Sequence, residues 1–284
     1  MVHECSMSNF YLGLLASNSG SRQWKGVAHC SIYSSSDVRS MRKADTMNII
    51  KNSGVIACLR APNAELAYEA ASAALRGGIV AVSIKHAPSS FNFQRNNILL
   101  PSTYFQLEIT RGTPGVFEVI NQLVLRYPHC ALGIGTVLDA KDADKAFSNG
   151  ARFIMSPATL PEIMNDGLEL LYIPGAMTPT EILSVYKSGA KMVKAYPVSA
   201  LGGVKYISAI KKSFPFIPLI ASQGVSLESV GDFISNGASA VVLSDAIFSK
   251  EALDSKDFYA ISHCARIASK VGKEAVALRN NALH

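Results

Sequence analysis

Eight short runs of β-forming residues recur along this chain, and most are followed by an amphipathic helical stretch. That alternation is the strongest constraint on its fold, because strands separated by helices lie parallel and a parallel sheet needs helices over its faces. The runs are Val55-Ile56-Ala57-Cys58-Leu59, Ile79-Val80-Ala81, Ala131-Leu132-Gly133-Ile134, Phe153-Ile154-Met155, Leu171-Tyr172-Ile173, Met192-Val193-Lys194, Pro218-Leu219-Ile220-Ala221 and Ala240-Val241-Val242-Leu243. Eight are enough to close a barrel, so the expected fold is α/β, a single (β/α)8 TIM barrel.

Apolar positions three and four apart predict helices over Ala64 to Leu75, Val116 to Arg126, Ala140 to Ser148, Thr180 to Lys187, Gly203 to Ser213, Leu227 to Ser235 and Phe258 to Val271. Four helices end in a similar signal: Arg76-Gly77-Gly78, Asn149-Gly150-Ala151, Ser188-Gly189-Ala190 and Asn236-Gly237-Ala238. A glycine there supplies a left-handed cap before the next strand.

At 284 residues, 49% of them hydrophobic, the chain can bury one large core. No apolar stretch approaches the roughly 18 to 20 residues that span a bilayer, so no membrane partner is expected. The net charge of +6 is spread out, without a basic run, and no nucleic-acid partner is expected either. Cys5, Cys30, Cys58, Cys130 and Cys264 are far apart, odd in number and lack a CxxC pair, which reads as reduced thiols. The histidines show no ligand spacing. His129-Cys130 fits a helix-to-strand connection beside Pro128, so no metal is expected.

Residues 1–44 differ from the rest: they are rich in serine, carry Arg22, Lys25, Arg39, Arg42 and Lys43, and hold only Glu4 and Asp37 as acids up to Lys43. Such a composition suits an organelle transit peptide or a plain disordered extension. The expected location is accordingly a plastid, or otherwise the cytoplasm. A catalytic barrel is expected over residues 45–276, with a tail at 277–284.

Lys194 is the one charge in the run Met192-Val193-Lys194-Ala195-Tyr196-Pro197, toward the C-terminal end of a strand. In such barrels the chemistry sits at those ends, and a lysine amine there can attack a ketone carbonyl. By position alone, a lysine with its ammonium in solvent is the plainer alternative.

Taken in order, Leu107-Glu108-Ile109-Thr110, Gly133-Ile134-Gly135-Thr136-Val137-Leu138, Ser156-Pro157, Ile173-Pro174-Gly175 and Lys194-Ala195-Tyr196-Pro197 resemble the KDPG/KHG aldolase family over about residues 47 to 276. The resemblance implies a class I lyase that cleaves or forms 2-keto-3-deoxy or 4-hydroxy-2-keto acids, with pyruvate as one partner and an aldehyde as the other. It further implies no metal, no cofactor and a homotrimer. Lys194 would form the imine and Glu108 would carry protons through water. Arg60, Thr136 and Pro157 match substrate contacts, with a solvated loop charge, a helix cap and a turn as their plainer readings.

Phosphate-binding members have T-G-G and G-G-S turns after strands seven and eight. Here Ser222-Gln223-Gly224 and Leu243-Ser244-Asp245 occupy those places, leaving Ser222, Gly224 and Ser244 as candidate substrate contacts. Asp245 would repel a dianion, so the substrate is not expected to depend strongly on phosphate. Gly112 stands where the family has an arginine; Arg111, one place early, would face the other way.

Residues 82–106 interrupt strand two. Codons reading GTAAGT would encode Val82-Ser83, and Tyr104-Phe105-Gln106 is compatible with TATTTTCAG; those would be a splice donor and acceptor, so the segment reads as a retained intron, with a family-specific loop as the alternative. Strand two can then be completed by Leu107-Glu108-Ile109-Thr110 or by Val82-Ser83-Ile84-Lys85, and only the first supplies Glu108. A catalytically impaired relative that binds metabolites or acts as a scaffold is therefore the second functional expectation.

Overall fold

The computed structural model describes residues 42–78, 106–164 and 169–282. The transit-peptide or disordered-extension reading of residues 1–41 and nearly all of the inserted segment lie outside them. The elements follow in the order α1 (Lys43–Ser53), β1 (Val55–Leu59), α2 (Ala64–Gly78), β2 (Gln106–Thr110), α3 (Val116–Arg126), β3 (Ala131–Gly135), α4 (Ala140–Ser148) and β4 (Phe153–Met155). Then come α5 (Pro161–Met164), β5 (Leu171–Ile173), β6 (Gly175–Ala176), α6 (Pro179–Lys187), β7 (Val193–Ala195) and a 3-10 turn at Val198–Leu201. The chain ends with α7 (Val204–Ser213), β8 (Leu219–Ser222), α8 (Val230–Ser235), β9 (Ala238–Leu243), α9 (Lys250–Asp254) and α10 (Phe258–Asn281).

All strand pairings are parallel, in the order β5-β4-β3-β2-β1-β9-β8-β7-β6. The ninth strand beyond the eight expected arises at Pro174, which has no N–H to offer a ladder. Leu171–Ile173 pairs with β4, the Pro174 carbonyl accepts from Lys194 N at 2.9 Å, and Gly175–Ala176 pairs with β7. One run thus bridges both neighbours, and the sheet closes as an eight-stranded barrel.

Closure sorts the side chains by parity. Inward positions form one cluster of Ile56, Ala131, Phe153, Met155, Leu171, Ile173, Met192, Ile220, Ala240 and Val242, while Val55, Ala57, Leu59, Leu107 and Ile109 face the helices. Phe153 is the largest inward side chain and is fully buried; its ring occupies the space that a side chain on Gly133, its register partner, would need.

Helix α1 was not expected from the sequence, and it begins inside the stretch assigned to the N-terminal extension. The Asp45 carboxylate accepts from Arg42 N at 3.3 Å and from Arg42 Nε at 3.1 Å, which starts the helix. Ile50, fully buried, joins the inward cluster. Since α1 runs through Ser53 into the start of β1 and touches β1, β2, β3, β5 and β9, it covers the N-terminal end of the barrel.

Two further expectations are corrected. Gly150, Gly189 and Gly237 have the left-handed φ of helix caps, but Gly77 and Gly78 lie within α2. A Cβ on Gly77 would strike the Ser262 backbone, so this glycine permits close packing of α2 on α10. The last helix also runs to Asn281 rather than ending at Val271, and its residues 277–281 are not a tail. Ala275 and Val276 are buried, and Arg279 donates to the Ala238 carbonyl at 2.9 Å.

Strand two is built from Gln106–Thr110, paired with β1 and β3. The register that supplies Glu108 is the one present. Gly77→Ala should destabilise the barrel by about 1–3 kcal/mol through overpacking. Gly231→Ala in α8, where an added Cβ meets nothing within 4 Å, should instead be neutral or stabilising by up to about 1 kcal/mol. Thermal unfolding of the two variants side by side checks this contrast.

Candidate active site

At the C-terminal layer of the interior the hydrocarbon gives way to polar groups. Cys58 on β1, Glu108 on β2, Lys194 on β7 and Ser222 on β8 share the inward parity of their strands. Lys194 is 6% exposed and Glu108 2%, so both charges are held inside the protein. A rim ammonium in solvent and a rim carboxylate are thereby excluded.

Glu108 stands opposite Cys58 and Gly133 in the ladders. Its carboxyl lies over Gly135, whose missing side chain leaves the room; a Cβ there would coincide with Oε1. The Cys58 thiol donates to Oε1 at 3.8 Å, and Oε2 has no partner among the described residues. Burial pushes the carboxyl above its ordinary value of 4.5, opposed by the Lys194 charge and by the Cys58 hydrogen bond. A buried carboxyl with an unpartnered oxygen is poised to exchange a proton with something placed in the barrel mouth.

Lys194 is fixed through its backbone to Pro174 and through register to Gly175 and Ile220. Its Nζ lies 4.9 Å from the centre of the Tyr196 ring, a cation–π contact that holds the amine toward one side. Lys194 is also close enough to Glu108 and Cys58 for its charge to favour their ionised forms.

The other candidate residues lie at the same end of the barrel. Arg60 is exposed just beyond β1, and its charge reaches Cys58. Thr136, directly after β3, has φ +60, an uncommon conformation for a β-branched residue. It does not cap the following helix, since Asp139 does so by accepting from Asp142 N at 2.8 Å. Pro157 follows β4, where Ser156 Oγ donates to the Val137 carbonyl at 2.7 Å and joins that turn to the one after β3.

Ser222 is buried, while Gln223 and Gly224, both with positive φ, are exposed. Gly224 packs directly on Ser199, where a Cβ would collide. Ser244 is half-buried after β9; its carbonyl accepts from Ile247 N and Phe248 N, and Asp245 beside it is exposed. Arg111 points away from the mouth, donating from Nε to Asp142 at 2.6 Å and lying over the Phe117 ring. Sequence reasoning took Cys58 for an ordinary buried thiol. Its place two residues before Arg60, on the inward parity of β1, was the signal available.

The family model described as KDPG and KHG aldolase matches residues 93–264. The chain belongs to this family. The 2-dehydro-3-deoxy-phosphogluconate aldolase of Pseudomonas aeruginosa is 32% identical over 131 residues, which cover 45% of this chain and 60% of that relative. The matched stretch thus spans less than two thirds of the relative's length. The KHG/KDPG aldolase of Escherichia coli K12 is 27% identical over 169 residues, 59% of this chain and 79% of that protein. Among solved structures, the KDPG aldolase of Legionella pneumophila, with pyruvate captured as a covalent carbinolamine, has a TM-score of 0.65 over 78% of this chain and 97% of its own, at 22% identity. At that identity the likeness is one of fold. The family match begins at residue 93, yet β1 ahead of it pairs into the same barrel and α2 packs on β1 and β2.

Because the folded barrel keeps the Glu108 proton to higher pH than the unfolded chain does, this group's stabilising contribution is complete only below 4.5 and is lost as pH rises through the folded value. Glu108→Gln should therefore raise the Tm near neutral pH. The gain should be roughly 3 to 6 °C for each pH unit of displacement and should vanish as pH falls to the unfolded carboxyl value. Thermal melts across that pH range measure it.

Proposed function

We propose that this chain is a Schiff-base aldolase that cleaves or forms a 2-keto-3-deoxy or 4-hydroxy-2-keto acid, with pyruvate as one product or partner and an aldehyde as the other. The observation that carries the reading is the pairing of a buried lysine with a buried, partly unpartnered carboxyl in the C-terminal layer of the barrel. Family membership and the carbinolamine captured in the Legionella relative support it.

The Lys194 amine adds to the C2 carbonyl of the keto acid, and loss of water gives an iminium ion. That cation draws the electrons of the C3–C4 bond, so removal of the C4 hydroxyl proton releases the aldehyde and leaves an enamine. Glu108, acting through water, takes that proton and returns one to C3; hydrolysis of the imine then frees pyruvate. A carboxyl raised by burial suits both directions of transfer.

Arg60 at the mouth is the partner for the substrate carboxylate, and Thr136 and Pro157 border the same space. Strained backbone persists where surrounding structure holds it for a purpose, which favours a substrate contact for Thr136. At the far end Ser222, Gly224 and Ser244 meet the remaining hydroxyls, and Asp245 disfavours a phosphate dianion. The reading extends to a homotrimer.

Borohydride reduction in the presence of pyruvate should add one reduced adduct at Lys194, located by peptide mass, and Lys194→Ala should abolish it. Glu108→Gln should still trap pyruvate while cleaving keto-deoxy acid about a hundred- to ten-thousand-fold more slowly. An unmodified Lys194 overturns the reading and favours the metabolite-binding alternative.

Residues 82–106 are proposed to be dispensable. Removing them would let Ala81 take the strand position of Gln106 and leave Ile79 and Val80 to join α2 to β2, an ordinary connection length. The shortened chain should cleave keto-deoxy acid faster than the full chain. Equal rates would show that the insertion is a tolerated loop.

A further inference from the structure

Building on the Schiff-base reading of Lys194 and Glu108, we propose that Cys58 is a positioning residue: its thiol holds one oxygen of the Glu108 carboxyl so that the other faces the carbon bound at Lys194. The register of β1 with β2 places Cys58 directly opposite Glu108. The thiol reaches Oε1 at 3.8 Å and is the one donor to this carboxyl among the described residues. On the other side, the backbone at Gly135 forms a floor that would admit no side chain.

A carboxyl on a side chain with three rotatable bonds could otherwise turn about the last of them and exchange its oxygens. Held between a thiol and a glycine floor, it presents Oε2 with no partner among the described residues.

Few other groups can do this work. The charges that reach the pair are Lys194 from β7 and Arg60 from the end of β1. Strand β3 presents glycine backbone; β4, β5 and β9 present Met155, Ile173 and Val242, and β8 presents Ser222. The thiol is kept protonated, and therefore a donor, by burial and by the neighbouring carboxyl, which push it well above its ordinary value. A thiol is a weak donor, but it is the donor that the strand register sets against this carboxyl.

The test compares wild type with Cys58→Val, Cys58→Ala and Cys58→Ser in keto-acid cleavage. Without the donor, the ionised carboxyl loses a favourable contact, so the acid limb of kcat/KM should move to higher pH by about half to one unit. At pH values on that limb, turnover should fall about two- to tenfold. KM should change little, and borohydride should still trap pyruvate at Lys194 in every variant. Cys58→Ser should restore the wild-type limb, and Cys58→Ala should behave as Cys58→Val even where valine fits poorly. An unshifted limb in both Val and Ala variants overturns the inference, as does a serine variant as displaced as they are. If wild type itself neither traps pyruvate nor cleaves, the Schiff-base reading falls and this inference falls with it. If wild type does both, only the thiol's role is at stake.

Discussion

The limited space inside a closed eight-stranded barrel governs most of what this protein does with its residues. Once Pro174 and its neighbours bridge β4 and β7, every second side chain must share one enclosed volume. Large groups are admitted only where a neighbour is small. Phe153 fills the room left by Gly133, and Glu108 fills the room left by Gly135. The lower part of this volume is hydrocarbon, closed by Ile50 from α1; the upper part is where a carboxyl, a thiol and an ammonium meet.

The arrangement opposes stability to chemistry. Burying Glu108 away from water disfavours its charge, and the Lys194 ammonium offsets only part of that cost. The same burial raises the pH at which the carboxyl gives up its proton. Strain at Thr136 and Gln223, which with Lys256 are the non-glycine residues of positive φ among the described ones and which both sit at strand ends, belongs to the same pattern: the mouth departs from local backbone preferences.

Much of the barrel was legible because period-two runs and amphipathic helices carry their own signal, and β1, β3, β4, β5, α3 and α4 fall where the pattern puts them. What escaped depended on tertiary contact. Helix α1 is short and weakly patterned, and only the barrel end it covers explains why Ile50 is apolar. Gly77 looks like a cap, but its neighbour Ser262 is 185 residues away in sequence. In strand two, both candidate registers alternate equally well, so periodicity could not choose between them; pairing with β1 and β3 selects the one that carries Glu108. At the site, Lys194 and Glu108 could be named from flanking residues, whereas for Cys58 the sequence signals only an inward place on β1, because its partner lies across the ladder.

The last helix gives the barrel an unequal resistance to opening. Helix α10 packs its backbone against Gly77 of α2, and Gly272 within it sits against Ser53 at the end of α1. It thereby clasps the first βα unit to α8, on either side of the seam where β1 meets β9. Separating those strands requires stripping a 24-residue helix first, so their amides belong among the slowest to exchange with solvent. The junction at Pro174, spanned by short strands and, among the described residues, by no comparable clasp, is where the barrel is expected to breathe. Lys194 is anchored beside that junction, through the Pro174 carbonyl, while Glu108 stands on the strand next to the clasped seam, so the two groups of the site hang from parts of the barrel that are braced differently.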